Sequence, residues 1–201
     1  MTRLLAVCAV GAVLLVGAGC TSSRGSGAGG GLDLHNPTHA QLVARAALAP
    51  CPASTAAPVS GGLPDVTLPC LGNGPQVRLS GLAGKPTVVN LWGSWCPPCQ
   101  AEMQYMSSAY DADRSAVRFL GVDTVDDADS ALDFDAHVTP PVHFPSVFDE
   151  NRKIALALHT EAMPDTVFLA ADGRIVHNHP GEYHSTAQLQ ADISRYLHVH
   201  A

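Results

Sequence analysis

The residues able to do chemistry in this chain are two cysteines, in the run Trp95-Cys96-Pro97-Pro98-Cys99. Before them, Thr87-Val88-Val89-Asn90-Leu91-Trp92 has the β-branched, apolar character of a buried strand. A turn at Gly93-Ser94 should follow, and a helix should begin at or near Cys96. Pro97 and Pro98 suit its first turn, where a missing N–H leaves no bond unmade. Cysteines spaced this way lie one turn apart, close enough to form a disulfide. The first thiol faces the free N–H groups and positive end of the helix, which favour its thiolate. A thiolate is the form that attacks a disulfide sulfur. Zinc sites and inert structural disulfides share the C-x-x-C spacing. A zinc reading needs two further ligands at partner spacing, and no second C-x-x-C is present. Redox exchange is therefore the expected use, with no cofactor and no metal assigned.

Composition narrows the setting. The chain has 201 residues, enough for one domain with a real core plus extensions. Apolar residues make up 46% and charged residues only 14%, which is a globular composition. A net charge of −7 argues against nucleic acid as a partner, because phosphate binding needs a basic surface. Nothing resembles a phosphate-binding glycine loop.

The first residues read as an address. Arg3 precedes an apolar run from Leu4 to Gly19 that is too short and too rich in small residues for a comfortable membrane span. It ends in Val16-Gly17-Ala18-Gly19-Cys20, which resembles a bacterial lipoprotein cleavage site, with Cys20 as the lipid-bearing residue. Gly17 departs from that pattern, which usually carries Leu there, so simple secretory cleavage and a retained signal anchor stay open. Residues 21–31 form a Gly/Ser-rich tether. Each reading exports the protein, where oxidised cysteines persist. With Cys8 in the signal and Cys20 at its end, four of the six cysteines remain. Because Cys96–Cys99 is local, Cys51–Cys70 is the natural second bridge. As a structural staple it closes a loop of roughly 20 residues, worth about 3 kcal/mol in the chain-entropy model. A second redox couple relaying to the first is the sharper alternative.

The remaining elements follow from periodicity and turn chemistry. Pro37 to Leu48 reads as a short helix capped by Asn36, followed by an irregular Pro/Ala/Ser/Gly arm from Ala49 to Leu63. Val66-Thr67-Leu68 and Gln76 to Leu79 flank a turn and read as a hairpin. After the central strand, a helix continues to Tyr110, with Met103, Met106 and Tyr110 on one core face. Strands are expected at Val117–Val122 and Phe144–Phe148, and helices at Asp129–Val138 and Lys153–His159. Thr166–Leu169 and Arg174–His177 flank Asp172-Gly173 as a second hairpin, and Thr186–Leu197 closes as an amphipathic helix. His177 and His179 share one strand face and are expected to be exposed, as are His198 and His200 in the tail. Asp123, Asp126, Asp127 and Asp129 are expected as solvated turn and capping acids, since their spacing does not complete a calcium loop. The order is hairpin, β, α, β, α, β, α, β-hairpin, α: an α/β domain with a mixed sheet and helices on both faces.

This order, with Trp-Cys-Pro-Pro-Cys after the central strand, resembles the thioredoxin fold. More narrowly, residues 63–197 resemble the membrane-anchored thiol–disulfide oxidoreductases of the TlpA/ResA type, with the cytochrome c maturation branch as the nearest comparison. The elements that carry this are Asn90 to Cys96, Glu102 three residues past Cys99, and Met163-Pro164-Asp165-Thr166 before a strand. The resemblance implies that Cys96 is the exposed nucleophile and Cys99 the buried resolving thiol. It implies that Glu102 is an acid exchanging a proton with Cys99, a solvated first-turn acid being the plainer reading. It also implies a cis-proline at Pro164 facing the disulfide. Met163 would then present backbone groups to an extended substrate, with Trp95, Pro97 and Pro98 around it. The expected domains are a signal peptide at 1–19, a lipid-anchor cysteine and tether at 20–36, a helix and disulfide-pinned arm at 37–62, and a thioredoxin-like domain at 63–201. The expected function is an extracytoplasmic protein-disulfide reductase, anchored to the outer face of the cytoplasmic membrane and reset by a membrane electron-transfer partner. Its suspected substrate is the heme-binding C-x-x-C-H of apocytochrome c. A disulfide oxidase or isomerase, and a copper-delivery protein, are the alternatives.

Overall fold

The structure, a computed structural model, describes residues 37–199. The expected signal peptide, Cys20 and the tether through Asn36 lie outside the described residues. Helix α1 is His39–Ala46, entered through Thr38, whose amide donates to the Gln41 side chain at 2.8 Å. Thr38 thus caps the helix in place of Asn36, because Gln41 is spaced to reach back to it. An irregular stretch then leads to a small antiparallel pair, β1 (Thr67–Leu68) and β2 (Val77–Arg78).

Five strands form the main sheet: β3 (Thr87–Trp92), β4 (Arg118–Thr124), β5 (Ser146–Asp149), β6 (Asp165–Leu169) and β7 (Ile175–Pro180). Their spatial order is β5-β4-β3-β6-β7. The β3–β4 and β4–β5 pairs are parallel, while β6 runs antiparallel to both β3 and β7. Parallel neighbours need crossovers, supplied by α2 (Pro97–Asp113) and α3 (Ala128–His137). After β5 comes α4 (Lys153–Ala157), and α5 (Thr186–Leu197) ends the domain. This is the mixed sheet expected from the sequence, with β7 reaching Pro180 rather than stopping at His177. A proline can end a strand there because β7 is an edge strand.

Two apolar layers sandwich the sheet. One joins Val88, Trp92 and Phe168 to Met103, Met106, Leu132, Leu189 and Ile193, on the face that α1, α2, α3 and α5 cover. The other joins Val89, Leu91, Leu120 and Val167 to Leu68, Val77, Leu79 and Ile154, under the small hairpin and α4. Side chains alternate along a strand, so Asn90 shares the face of Val88 and Trp92 and points towards α2. Tyr110 meets Phe119 and Phe144 edge-on, confirming the Met103–Met106–Tyr110 stripe as packing.

The Cys51–Cys70 bridge forms, with Cα atoms 5.9 Å apart, and ties the irregular arm to the β5 side of the sheet. Cys70 pairs with Val147, and the Leu71 amide donates to Ser146 at 2.8 Å. Replacing both cysteines by alanine is expected to destabilise the domain by about 2–4 kcal/mol. A urea denaturation series checks this, with a lower midpoint expected and an unchanged one refuting a staple role.

Candidate active site

The site is built where β3 ends and α2 begins. Cys96 is the N-cap residue of α2, Pro97 and Pro98 fill the first two helical positions, and Cys99 is the third. Neither proline carries an N–H, so the Cys99 amide is the first donor the helix presents. It points at Cys96 Sγ, 3.3 Å away. The two sulfurs are bonded, with Cα atoms 5.2 Å apart.

The turn before Cys96 is held from the β4 side. Asp126 accepts from the Ser94 amide and, at 3.0 Å, from the Ser94 hydroxyl. The Trp95 indole N–H donates to the Thr124 carbonyl at 3.1 Å. From the other side, Met163–Pro164 is a cis peptide, and the Met163 carbonyl oxygen lies 3.7 Å from Cys96 Sγ. Trp95 is 52% exposed, Pro97 is exposed, and Pro98 and Met163 are half-buried. These residues lie around the disulfide. A cleft of about 310 Å³ opens beside them, lined by Trp95, Val125, Arg152, Glu161, Ala162 and Met163. A larger groove of about 540 Å³ around Lys85, Tyr110 and Arg118 lies at the opposite ends of β3 and β4, away from the sulfurs.

Cys96 departs from its expectation. It is only 3% exposed in the disulfide form, with the Met163 carbonyl set against its sulfur. Cys99 is fully buried, as expected.

Glu102 lies one turn beyond Cys99 on the same helix face and is completely buried. It is not a solvated first-turn acid. Its oxygens accept from Asn90 Nδ2 at 2.8 Å and from the Tyr183 amide at 3.0 Å. Burial pushes its carboxyl up to about 7, against the opposing pull of those two bonds. Asn90 also donates to Thr166 Oγ1 at 3.2 Å, linking β3, α2 and β6. Sequence reasoning missed Tyr183, which approaches from a distant loop. Asn90 left a signal, as a lone amide inside an apolar strand.

The acidic run after β4 also departs from a purely solvated role. Asp127 does cap α3, accepting from the Ser130 amide at 3.0 Å, and exposed Asp129 meets His39 at 2.6 Å. Asp126 holds Ser94. Asp123 is fully buried, and burial, then the neighbouring Asp126, pushes it up to about 9. Asp135 of α3 is likewise buried and raised well above its ordinary value by desolvation.

A disulfide at a helix start, facing a cis-proline and backed by a buried acid on a five-stranded mixed sheet, defines a thioredoxin-fold protein with a redox-type C-x-x-C. The chain belongs to the Redoxin family, which it matches over residues 58–194. It is 31% identical over 105 residues to thiol-disulfide oxidoreductase ResA of Bacillus subtilis, covering 52% of this chain and 58% of that one. It is 30% identical over 123 residues to thiol:disulfide interchange protein DsbE of Vibrio cholerae, covering 55% and 65% respectively. The matches thus span less than two thirds of either relative. Among solved structures, a secreted Mycobacterium tuberculosis disulfide oxidoreductase homologous to Escherichia coli DsbE superposes with a TM-score of 0.57 at 28% identity, covering 65% of this chain and 96% of that one. A DsbF homologue from Corynebacterium diphtheriae gives 0.58 at 24% identity, covering 69% and 86%, and supports the fold.

The buried acid gives a signed pH dependence. The native Glu102 carboxyl titrates near 7 against 4.5 for an ordinary glutamate. The folded state therefore binds the extra proton between those values. Its contribution to stability is complete below pH 4.5 and is lost as pH rises through 7, up to about 3 kcal/mol in all. Glu102→Gln should make the stability profile between pH 5 and 7 less steep, read from urea midpoints, while buried Asp123 and Asp135 keep part of the slope. An unchanged slope would contradict the assignment.

Proposed function

We propose that this protein is an extracytoplasmic thiol–disulfide oxidoreductase that reduces protein disulfides through Cys96 and Cys99. The observation that carries the reading is the Cys96–Cys99 disulfide at the start of α2, opposite the Met163 carbonyl and one turn from buried Glu102. In the reduced enzyme, the Cys96 thiolate is supported by the Cys99 amide and the positive end of α2. It attacks one sulfur of a substrate disulfide, forming a mixed disulfide and releasing the other substrate sulfur as a thiolate. Glu102, as a carboxylate, takes the proton of the Cys99 thiol. The Cys99 thiolate then attacks Cys96 Sγ and releases the second substrate thiolate. Two electrons pass to the substrate, and Cys96–Cys99 is left oxidised.

Met163, held by cis Pro164, presents its backbone to an extended substrate strand, and Trp95, Pro97 and Pro98 bound the approach. Cys51–Cys70 serves as a staple. Resetting requires an electron donor, assigned to a membrane electron-transfer partner. The signal at 1–19, the Cys20 lipid and the tether to residue 36 place the domain at the outer face of the membrane, with the arm at 37–62 and the redox domain at 63–201. The proposed substrate is the C-x-x-C-H of an apocytochrome c.

Direction rests on the two prolines. Neither offers an N–H or side-chain donor to Cys96, and strong oxidants depend on heavy stabilisation of the reduced thiolate. One amide remains. A reduction potential near the thioredoxin value, about −270 mV, is expected from a dithiothreitol equilibrium. A Cys99→Ala variant should then capture apocytochromes as mixed disulfides. A potential near about −120 mV would make the protein a disulfide-forming enzyme instead.

A further inference from the structure

Outside the sulfur site, β7 and α5 bring together side chains that no step above uses. His177 and His179 stand two residues apart on one face of β7, and Asp192 of α5 faces them. The sequence expectation placed both histidines in solvent. They are instead half-buried, because β7 runs on to Pro180 and packs under α5. We propose that His177, His179 and Asp192 form a binding site for a divalent transition-metal ion, of which Zn²⁺ is the reference ligand.

Three features of the geometry support this. First, one ligand atom from each residue lies within 4.8 Å of the others. A tetrahedral ion bound at about 2.1 Å separates its ligands by about 3.4 Å, a closure within reach of small side-chain rotations. Second, the rings are already clamped. His177 stacks on Tyr196 at 3.7 Å between centroids, and His179 stacks on Tyr183 at 4.1 Å. Little side-chain entropy remains to be lost on binding. Third, Asp192 Oδ2 accepts from the Tyr183 hydroxyl at 2.8 Å and lies 3.5 Å from His179 Nδ1. An outer hydrogen bond that orients a ligating carboxylate is a regular part of metal sites. Among the described residues, Asp192 has no ion pair with a lysine or arginine.

Two imidazoles and a carboxylate suit zinc or copper, and leave coordination positions open to water or a further group. The side chains of His179 and Asp192 are 23% and 21% exposed, so an ion can reach them. Tyr183 touches both sites, donating its hydroxyl to Asp192 and its amide to Glu102.

The test is a Zn²⁺ titration of the full oxidised chain against a chromophoric chelator. One ion should be lost, or bound at least tenfold more weakly, in each of His177→Ala, His179→Ala and Asp192→Asn. Tyr183→Phe keeps the ring and every ligand, and should weaken binding about 10–100-fold through the lost outer hydrogen bond. Cys96→Ser with Cys99→Ser, and His198→Ala, should leave the ion in place, which separates this site from the thiol chemistry and from the tail. Equal binding in the three ligand variants would overturn the proposal. If those variants fail to fold, diethyl pyrocarbonate labelling of the unaltered chain decides. Zn²⁺ should protect His177 and His179, and unprotected labelling refutes the site.

Discussion

The first turn of α2 has one free donor, and a sulfur takes it. With prolines at its first two positions, the helix can present no backbone N–H before Cys99, and that amide points at Cys96 Sγ. The constraint sets the rest of the site. For the sulfur to sit at the N-cap, the chain must leave β3 at Trp92 and turn within Gly93 to Trp95. That turn has no regular ladder of its own. Asp126 and Thr124 hold it from the end of β4, and the Met163 loop closes over the sulfur from the start of β6. The three central strands therefore meet the disulfide at one end of the sheet.

Behind this junction the domain carries acids where most domains carry hydrocarbon. Glu102, Asp123 and Asp135 are all buried, and desolvation favours the neutral form of each. They differ in support. Glu102 has two donors on its oxygens, which pull against burial and leave its carboxyl near 7. Asp123 and Asp135 receive no N–H or alcohol donor on their oxygens, and burial raises both.

Much of this was legible in the sequence. Strand and helix order follow from apolar periodicity, and the cysteine spacing marks the start of α2. The paired strands around Asp172-Gly173 carry their turn in plain residues. What escaped depends on contacts between distant segments. Cys96 is covered by a loop 67 residues away. Glu102 looks like an ordinary first-turn acid until the Tyr183 amide, 81 residues on, is seen against it. Asp123 sits in a run of acids that reads as a solvated turn, yet its position on β4 turns it inward. His177 and His179 alternate as surface residues do, and only the tyrosines that stack on them remove them from water.

The bond between Cys51 and Cys70 has a consequence beyond loop entropy. The segment 69–71 lies along β5, with Phe148 donating to Pro69 at 2.9 Å and Cys70 bridged to Val147. It occupies the backbone groups that an outermost strand otherwise offers to any passing chain, the usual template for sheet-to-sheet aggregation. Colloidal behaviour is thereby tied to redox compartment. In an oxidising space the covalent link keeps the cover shut, whereas in a reducing one a few hydrogen bonds guard the flank of β5 alone.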